Sequence, residues 1–166
     1  MSSVWIAPLF AGLLGTTVLT VLISVPRWLG MKNVDMVRAL GMAVGRDRDP
    51  ERGFVAGLLV HYVIGILFAY IYLVGFGAFG FPLSALTGAM VGIFHGGLAM
   101  LVVDRIILRR QPRTANVSPE THDRADDEAR AAEVAQFVGH ILYGAVVAGV
   151  YQLLQTYPRF GQPLFS

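Results

Sequence analysis

The chain has 166 residues, of which 55% are hydrophobic and 14% are charged, and it contains no cysteine. A soluble domain is typically about 45–50% apolar and about 25% charged, so both departures indicate a membrane protein. The lack of cysteine excludes disulfides and thiolate metal sites, and a net charge of +2 without a basic cluster gives no indication of nucleic-acid binding.

Four apolar stretches are long enough to cross a bilayer. A hydrocarbon core of about 30 Å requires roughly 20 helical residues, and none of the stretches carries Asp, Glu, Lys or Arg in its core. The sequence predicts an all-α, polytopic membrane four-helix bundle that forms a single domain over residues 1–166. Its predicted spans cover residues 4–25, 54–74, 83–103 and 134–156, and its two long loops cover residues 26–53 and 104–133.

The two long loops hold nearly all the cationic residues. Six Lys or Arg residues lie between positions 27 and 52, six more lie between positions 105 and 130, and the remaining one is Arg159. The positive-inside rule therefore predicts that both loops are cytoplasmic and that both termini lie outside. We expect a multi-pass protein of a bacterial inner membrane.

Three shorter segments carry local signals. Residues 33–45 show an amphipathic pattern, which predicts a short cytoplasmic helix on the inner interface. Ser118 and Pro119 form a helix-start signal, so the charged stretch after them is expected to run as a helix into the fourth span. The glycines of residues 75–80 are interpreted as a tight, uncharged turn between spans two and three.

Spans two and four share the pattern H-x-x-x-G-x-x-x-A-x-x-Y. Its members are His61, Gly65, Ala69 and Tyr72 in one span and His140, Gly144, Ala148 and Tyr151 in the other. These spacings place each set on one helix face, and the pattern favours two parallel-related helical hairpins. Coincidence in a composition rich in Gly, Ala and Tyr is the alternative.

Small residues on these faces let neighbouring backbones approach closely. The third span carries a similar stripe, and the first span matches it loosely through Ala7, Ala11 and Gly15. The predicted helix-packing residues are Gly65, Ala69, Gly88, Gly92, Gly96, Gly144 and Ala148. These faces predict a homo-oligomer or an assembly with other membrane subunits in the lipid bilayer.

Three histidines fall inside the predicted spans. At a rise of 1.5 Å per residue, His61, His95 and His140 lie about 9–12 Å from the cytoplasmic ends of their spans, in one layer near Thr16, Thr17 and Thr20. Ionisable residues inside a bilayer are expensive and are functional candidates by default.

Three hypotheses account for this layer. Neutral imidazoles can join helices by hydrogen bonds to threonine, tyrosine or backbone carbonyls. They can also bind a cofactor, either a b-type haem between His61 and His140 or a transition metal on His61, His95 and His140, although no carboxylate is available to orient the rings. Finally, they can line the path of a channel or carrier.

Nucleotide-binding, zinc-protease and hydrolase motifs are missing from the sequence, and its carboxylates are confined to loops, so we do not expect an enzyme. The primary expectation is a small non-catalytic accessory or packing subunit. A haem- or metal-binding membrane protein is the first alternative, and a small channel or carrier is the second.

The chain resembles uncharacterised prokaryotic four-helix membrane families. The resemblance rests on four short motifs that are spread over most of the chain, and it implies the fold without an established activity or ligand. The motifs are Val34-Asp35-Met36, His61/Gly65/Tyr72, Gly92/His95/Gly96 and His140/Gly144/Tyr151.

Overall fold

The computed structural model describes residues 6–30, 35–45, 49–102 and 119–156, and all regular structure in this part of the chain is α-helical. The helices are α1 (Ile6–Trp28), α2 (Met36–Val44), α3 (Pro50–Phe79), α4 (Ala85–Val102) and α5 (Pro119–Thr156). Within the described ranges, α1, α3, α4 and α5 are long and apolar enough to cross a membrane. The predicted all-α, multi-pass four-helix bundle is confirmed.

Helix α3 is longer than its predicted span at both ends. Asp49 caps its start by accepting a hydrogen bond of 2.9 Å from the Glu51 amide, and Pro50 takes the first helical position. The helix then continues through Gly75 and Gly77, so the predicted turn over residues 75–80 was wrong. Glycine is tolerated in membrane helices, and the chain turns only at Gly80, which adopts a left-handed conformation with φ of +65°.

Helix α1 also runs past its predicted end at residue 25. Pro26 lies inside its last turn, where proline removes a single N–H donor, and the Leu29 amide still donates to the Val25 carbonyl at 3.0 Å. Residues 4, 5 and 103, which the sequence assigned to spans one and three, lie outside the described residues.

The predicted amphipathic helix forms as α2, but it packs on α3. The Asp35 carboxylate caps it, accepting from the Arg38 amide at 3.0 Å and from the Arg27 guanidinium at 2.7 Å. Gly41 lies directly on the α3 backbone, because a Cβ atom there would overlap the Gly53 carbonyl and approach the Gly57 nitrogen to 2.5 Å. Helix α2 is therefore fixed at the end of the bundle that carries Arg27 and Arg52, which we call the cationic end.

Helix α5 packs closely against α4 on one side. A Cβ atom on Gly88 would overlap the Gly144 carbonyl oxygen and would lie 2.6 Å from the Ala148 Cβ. One turn further on, a Cβ atom on Gly92 would lie 2.8 Å from the Ile141 Cα. The two backbones are thus in direct contact, as small-xxx-small packing in lipid requires.

Helix α5 packs against α1 on its other side. A Cβ atom on Gly15 would lie 2.9 Å from both Tyr143 and Val147, and one on Gly139 would lie 2.5 Å from the Leu19 side chain. Glycine on each helix thus accommodates a large side chain of the other, which holds α1 against the face of α5 opposite α4.

The contacts of α1 with α3 repeat those of α4 with α5. Gly12 lies against Ala69 and Thr16 lies against Gly65, while Gly88 lies against Ala148 and Gly92 lies against Gly144. Positions on α1 therefore correspond to positions 76 residues later on α4. The sequence matched Ala7, Ala11 and Gly15 of α1 to the glycine stripe of α4. The contacts give a different alignment, in which Thr16 of α1 corresponds to Gly92 of α4.

The repeat breaks where α3 and α4 face each other. Helices α1 and α5 meet through Gly15, Gly139 and Leu19. In the repeat, Gly15 corresponds to Val91 of α4, Gly139 to Val60 of α3, and Leu19 to His95 of α4. Larger residues replace both glycines, and the backbones of α3 and α4 make few close approaches. A cavity lies between these two helices at the cationic end.

The close approach of α4 and α5 predicts a stability difference between two glycine substitutions in α4. Gly88→Ala should lower the free energy of unfolding by about 1–3 kcal/mol, because its new methyl group meets backbone atoms that cannot rotate away. Gly97→Ala should be neutral or slightly stabilising, because nothing lies within 4 Å of a Cβ atom there. Denaturant titration in mild detergent measures both, and equal effects would contradict the packing described for α4 and α5.

Candidate functional site

The cavity has a volume of about 280 Å³ and is lined by residues of all five helices. It is close to the range of about 300–1,000 Å³ that is usual for small-molecule sites. Most of its wall is apolar and lies towards the cationic end; the apolar residues are Leu19, Ile23, Met36, Val37, Leu40, Ile64, Phe68, Leu98, Ala99 and Val102.

Polar side chains also line the cavity. They come from α1, α3, α4 and α5 and comprise Thr16, His61, His95, Gln136, His140 and Tyr143. In the described part of the chain, no Asp, Glu, Lys or Arg lines the cavity. The lining that the structure describes is therefore polar and hydrogen-bonding, without a charged side chain.

His140 is held in one tautomer by its own helix. Its Nδ1 lies 2.8 Å from the Gln136 carbonyl oxygen, and because a carbonyl oxygen only accepts, Nδ1–H is the donor. In the neutral imidazole, Nε2 then carries a lone pair. His140 is only 7% exposed, so it presents a buried hydrogen-bond acceptor at the site.

His95 links α4 to α3. Its ring stacks on Phe68 with centroids 3.9 Å apart, and its Nδ1 is hydrogen-bonded to the Tyr72 hydroxyl at 3.2 Å. The same ring makes an edge contact with His140 at a centroid distance of 4.8 Å. His95 thus bridges the gap between α3 and α4 with its side chain, where the backbones do not meet.

His61 has an unsatisfied nitrogen. Its Nε2 atom is buried and has no hydrogen-bond partner among the described residues. A buried polar group without a partner costs about 1–3 kcal/mol, so a hydrogen-bond partner for this nitrogen would stabilise the bundle.

The two hydroxyl groups at the site already donate to backbone carbonyls. Thr16 donates to the Gly12 carbonyl at 2.7 Å, and Tyr143 donates to the Gly65 carbonyl across the α5–α3 gap. Both side chains are almost completely buried. Their oxygens therefore offer only acceptor lone pairs to anything else in the cavity.

The structure thus brings His61, His95 and His140 to one cavity, together with Thr16. The other two threonines of the predicted layer bond elsewhere: Thr17 donates to the Leu13 carbonyl at 2.8 Å, and Thr20 donates to the Thr16 carbonyl at 2.7 Å. Hydrogen bonding of an imidazole between helices is found at His95, whereas His140 bonds within α5.

The geometry gives no support to the transition-metal hypothesis for His61, His95 and His140. Among the described residues, no group of three His, Cys, Asp or Glu side chains is placed so that it could hold a metal ion. The rings of His95 and His140 touch edge to face, with their centroids 4.8 Å apart, and the metal hypothesis stays a prediction. The haem hypothesis for His61 and His140 stays a prediction.

Sequence reasoning missed Phe68, Gln136 and Tyr143. Gln136 is the first of three glutamines in span four and precedes His140 by one helical turn, so its spacing was a usable signal. Tyr143 and Phe68 carried none, because aromatic residues are frequent in membrane helices and only the three-dimensional packing selects these two.

The small-residue faces are occupied within the chain. The predicted packing positions Gly65, Gly88, Gly92, Gly96 and Gly144 all contact neighbouring helices of the bundle, and Ala69 and Ala148 are each 1% exposed. These faces therefore no longer support the prediction of an oligomer or a partner subunit, which rested on them.

No family model, curated protein or solved structure matches this chain. The resemblance to uncharacterised prokaryotic four-helix membrane families therefore rests on the sequence motifs, and the site must be interpreted from its own geometry.

The bond between Tyr143 and Gly65 predicts a specific loss of stability. Tyr143→Phe should lower the free energy of unfolding by about 1–2 kcal/mol, because it removes a buried hydrogen bond between helices. Tyr62→Phe is the matched control, since the Tyr62 hydroxyl bonds Thr17 at an exposed position. A Tyr143→Phe variant no less stable than Tyr62→Phe would show that the Tyr143 bond does not form.

Proposed function

We propose that this chain is a non-catalytic membrane protein that binds a small lipid-soluble molecule in the histidine cavity. The observation that supports this most is the cavity itself, which combines a largely apolar wall with several polar side chains and has no charged side chain among its described lining residues. Ligand sites typically combine a largely apolar lining with a few convergent polar groups.

An empty cavity of this size would be costly. The destabilisation caused by cavities in protein cores rises by about 24 cal/mol per Å³, so an unfilled volume of about 280 Å³ corresponds to several kcal/mol. An engineered cavity of about 150 Å³ already takes up benzene. A lipid-soluble occupant would recover much of this free energy and would also reach the cavity through the bilayer.

The shape of the bundle favours binding over transport. Beyond the cavity, towards the α3–α4 turn, a cluster of buried residues packs between the helices and leaves a void of only about 10 Å³; it contains Ala11, Ala69, Tyr72, Phe76, Val147 and Ala148. A channel or carrier needs a path on both sides of its site. We therefore place the proposed site in the cytoplasmic half of a bacterial inner membrane as a pocket with access from one side.

A b-type haem is the second candidate, and the His140 ring favours it. An imidazole whose Nδ1–H donates to a carbonyl while its Nε2 lone pair stays free is arranged as an axial ligand, and His61 would supply the second ligand. The cavity lies at the lower end of the range for bound small molecules, which favours a ligand smaller than a porphyrin. An absorption spectrum of the purified protein distinguishes haem from a smaller ligand, since a Soret band that is lost in His140→Phe would establish haem.

Filling the cavity tests the binding proposal. In nanodiscs made with a total lipid extract of bacterial inner membrane, we expect the wild-type protein to retain a small molecule at about one per chain. Ala99→Phe should abolish this retention without loss of stability, because Ala99 lines the cavity and its larger replacement occupies the ligand's place. Ala78→Phe, at an exposed position of α3, is the matched control.

Native mass spectrometry measures the retained mass in each variant. The proposal predicts the same bound molecule in the wild type and in Ala78→Phe and none in Ala99→Phe. Equal retention in all three proteins, or no retention in any of them, would contradict it.

A further inference from the structure

We infer that the ligand of the histidine cavity is an uncharged molecule that carries a hydroxyl group on an apolar body. This inference rests on the proposed binding function and deepens it by naming the ligand class. It follows from which hydrogen-bond donors and acceptors of the site have no partner within the protein.

The charge of the ligand follows from the lining. No charged side chain of the described residues borders the cavity, so an anion or a cation would be buried without a counter-charge. Burying an unpaired charge is far more costly than burying a hydrogen-bonded neutral group. Carboxylates, phosphates and protonated amines are therefore disfavoured as head groups.

The hydrogen-bonding role of the ligand follows from the donors already in use. The hydroxyls of Thr16 and Tyr143 donate to the backbone carbonyls of Gly12 and Gly65, and Nδ1–H of His140 donates to Gln136. Of these three groups, only His140 leaves a bonding position for a ligand, the lone pair of its Nε2 atom, because both hydroxyls are almost completely buried. A ligand that bonds to this nitrogen must bring a donor, and among uncharged lipid-soluble groups a hydroxyl is the simplest.

A hydroxyl also accepts a hydrogen bond, and the site contains a matching group. Each neutral imidazole carries one N–H, and His61 and His95 line the cavity together with His140. A hydroxyl placed between these rings can satisfy the lone pair of His140 while its own oxygen accepts from a second histidine. The apolar body then lies against Met36, Leu40 and Leu98.

The test compares two ligands of nearly the same shape, para-pentylphenol and para-pentylanisole. Both are uncharged and lipid-soluble, but the methyl ether cannot donate a hydrogen bond. Binding to the protein in nanodiscs is measured by equilibrium dialysis and corrected for partition into empty nanodiscs. We expect the phenol to bind about 5–10-fold more tightly, which is the effect of one neutral hydrogen bond.

Two further measurements keep the result interpretable. In His140→Phe, the phenol should bind no more tightly than the ether, while Ala78→Phe should behave as the wild type. Because a substitution at His140 can disturb folding, the wild-type protein labelled with ¹⁵N-histidine provides an independent readout. Its His140 Nε2 resonance should shift on addition of the phenol and stay in place on addition of the ether.

Each outcome has a definite meaning. Equal affinity for phenol and ether, with both displaced by Ala99→Phe, would overturn the hydroxyl inference and leave the binding function standing. A wild-type protein that binds neither compound would overturn both. A third ligand, para-pentylcyclohexanol, distinguishes the two sources of a hydroxyl: binding as tight as that of the phenol indicates an aliphatic alcohol, and weaker binding indicates a phenol.

Discussion

Close contact at glycine holds α5 between α4 and α1, with backbone against backbone on the α4 side and side chains packed on glycine on the α1 side. The rest of the bundle is arranged around these contacts. Lipid provides no hydrophobic force between helices, so association depends on close van der Waals packing. Gly88 and Gly144 provide it on one side, and Gly15 and Gly139 provide it on the other. Helix α3 has no such contact with α4 and is held by α1 and by α2.

The cavity is a consequence of that asymmetry. If the α1–α3 and α4–α5 hairpins had equivalent residues, the α3–α4 interface would be as close as the α1–α5 interface. Instead, Val60 and Val91 replace the glycines of the α1–α5 interface. The gap that results is spanned by the His95 ring, which reaches Phe68 and Tyr72. Val60 and Val91, which break the repeat, thus separate α3 from α4 and leave room for a candidate binding site. His140 and Tyr143 of α5 also line this site.

The sequence was sufficient to predict the membrane class, the four spans, the amphipathic helix and the helical extension of α5, because these depend on the local periodicity and length of apolar runs. It was also sufficient to select His61, His95 and His140 as site candidates, since ionisable residues in hydrocarbon are conspicuous. It could not predict that Gly75 and Gly77 continue α3, because the same residues favour a turn in water. Nor could it predict the cavity, which depends on how far apart α3 and α4 lie and on the directions in which Thr16, Tyr143 and Gln136 form hydrogen bonds.

A high-resolution experimental structure of the protein extracted from its native membrane tests this account most directly. The account predicts that α3 and α4 stay apart at the cationic end and that non-protein density fills the space beside Phe68 and His95, within hydrogen-bonding distance of the His140 Nε2 atom. Backbones of α3 and α4 in direct contact, with no space left between the histidines, would contradict it.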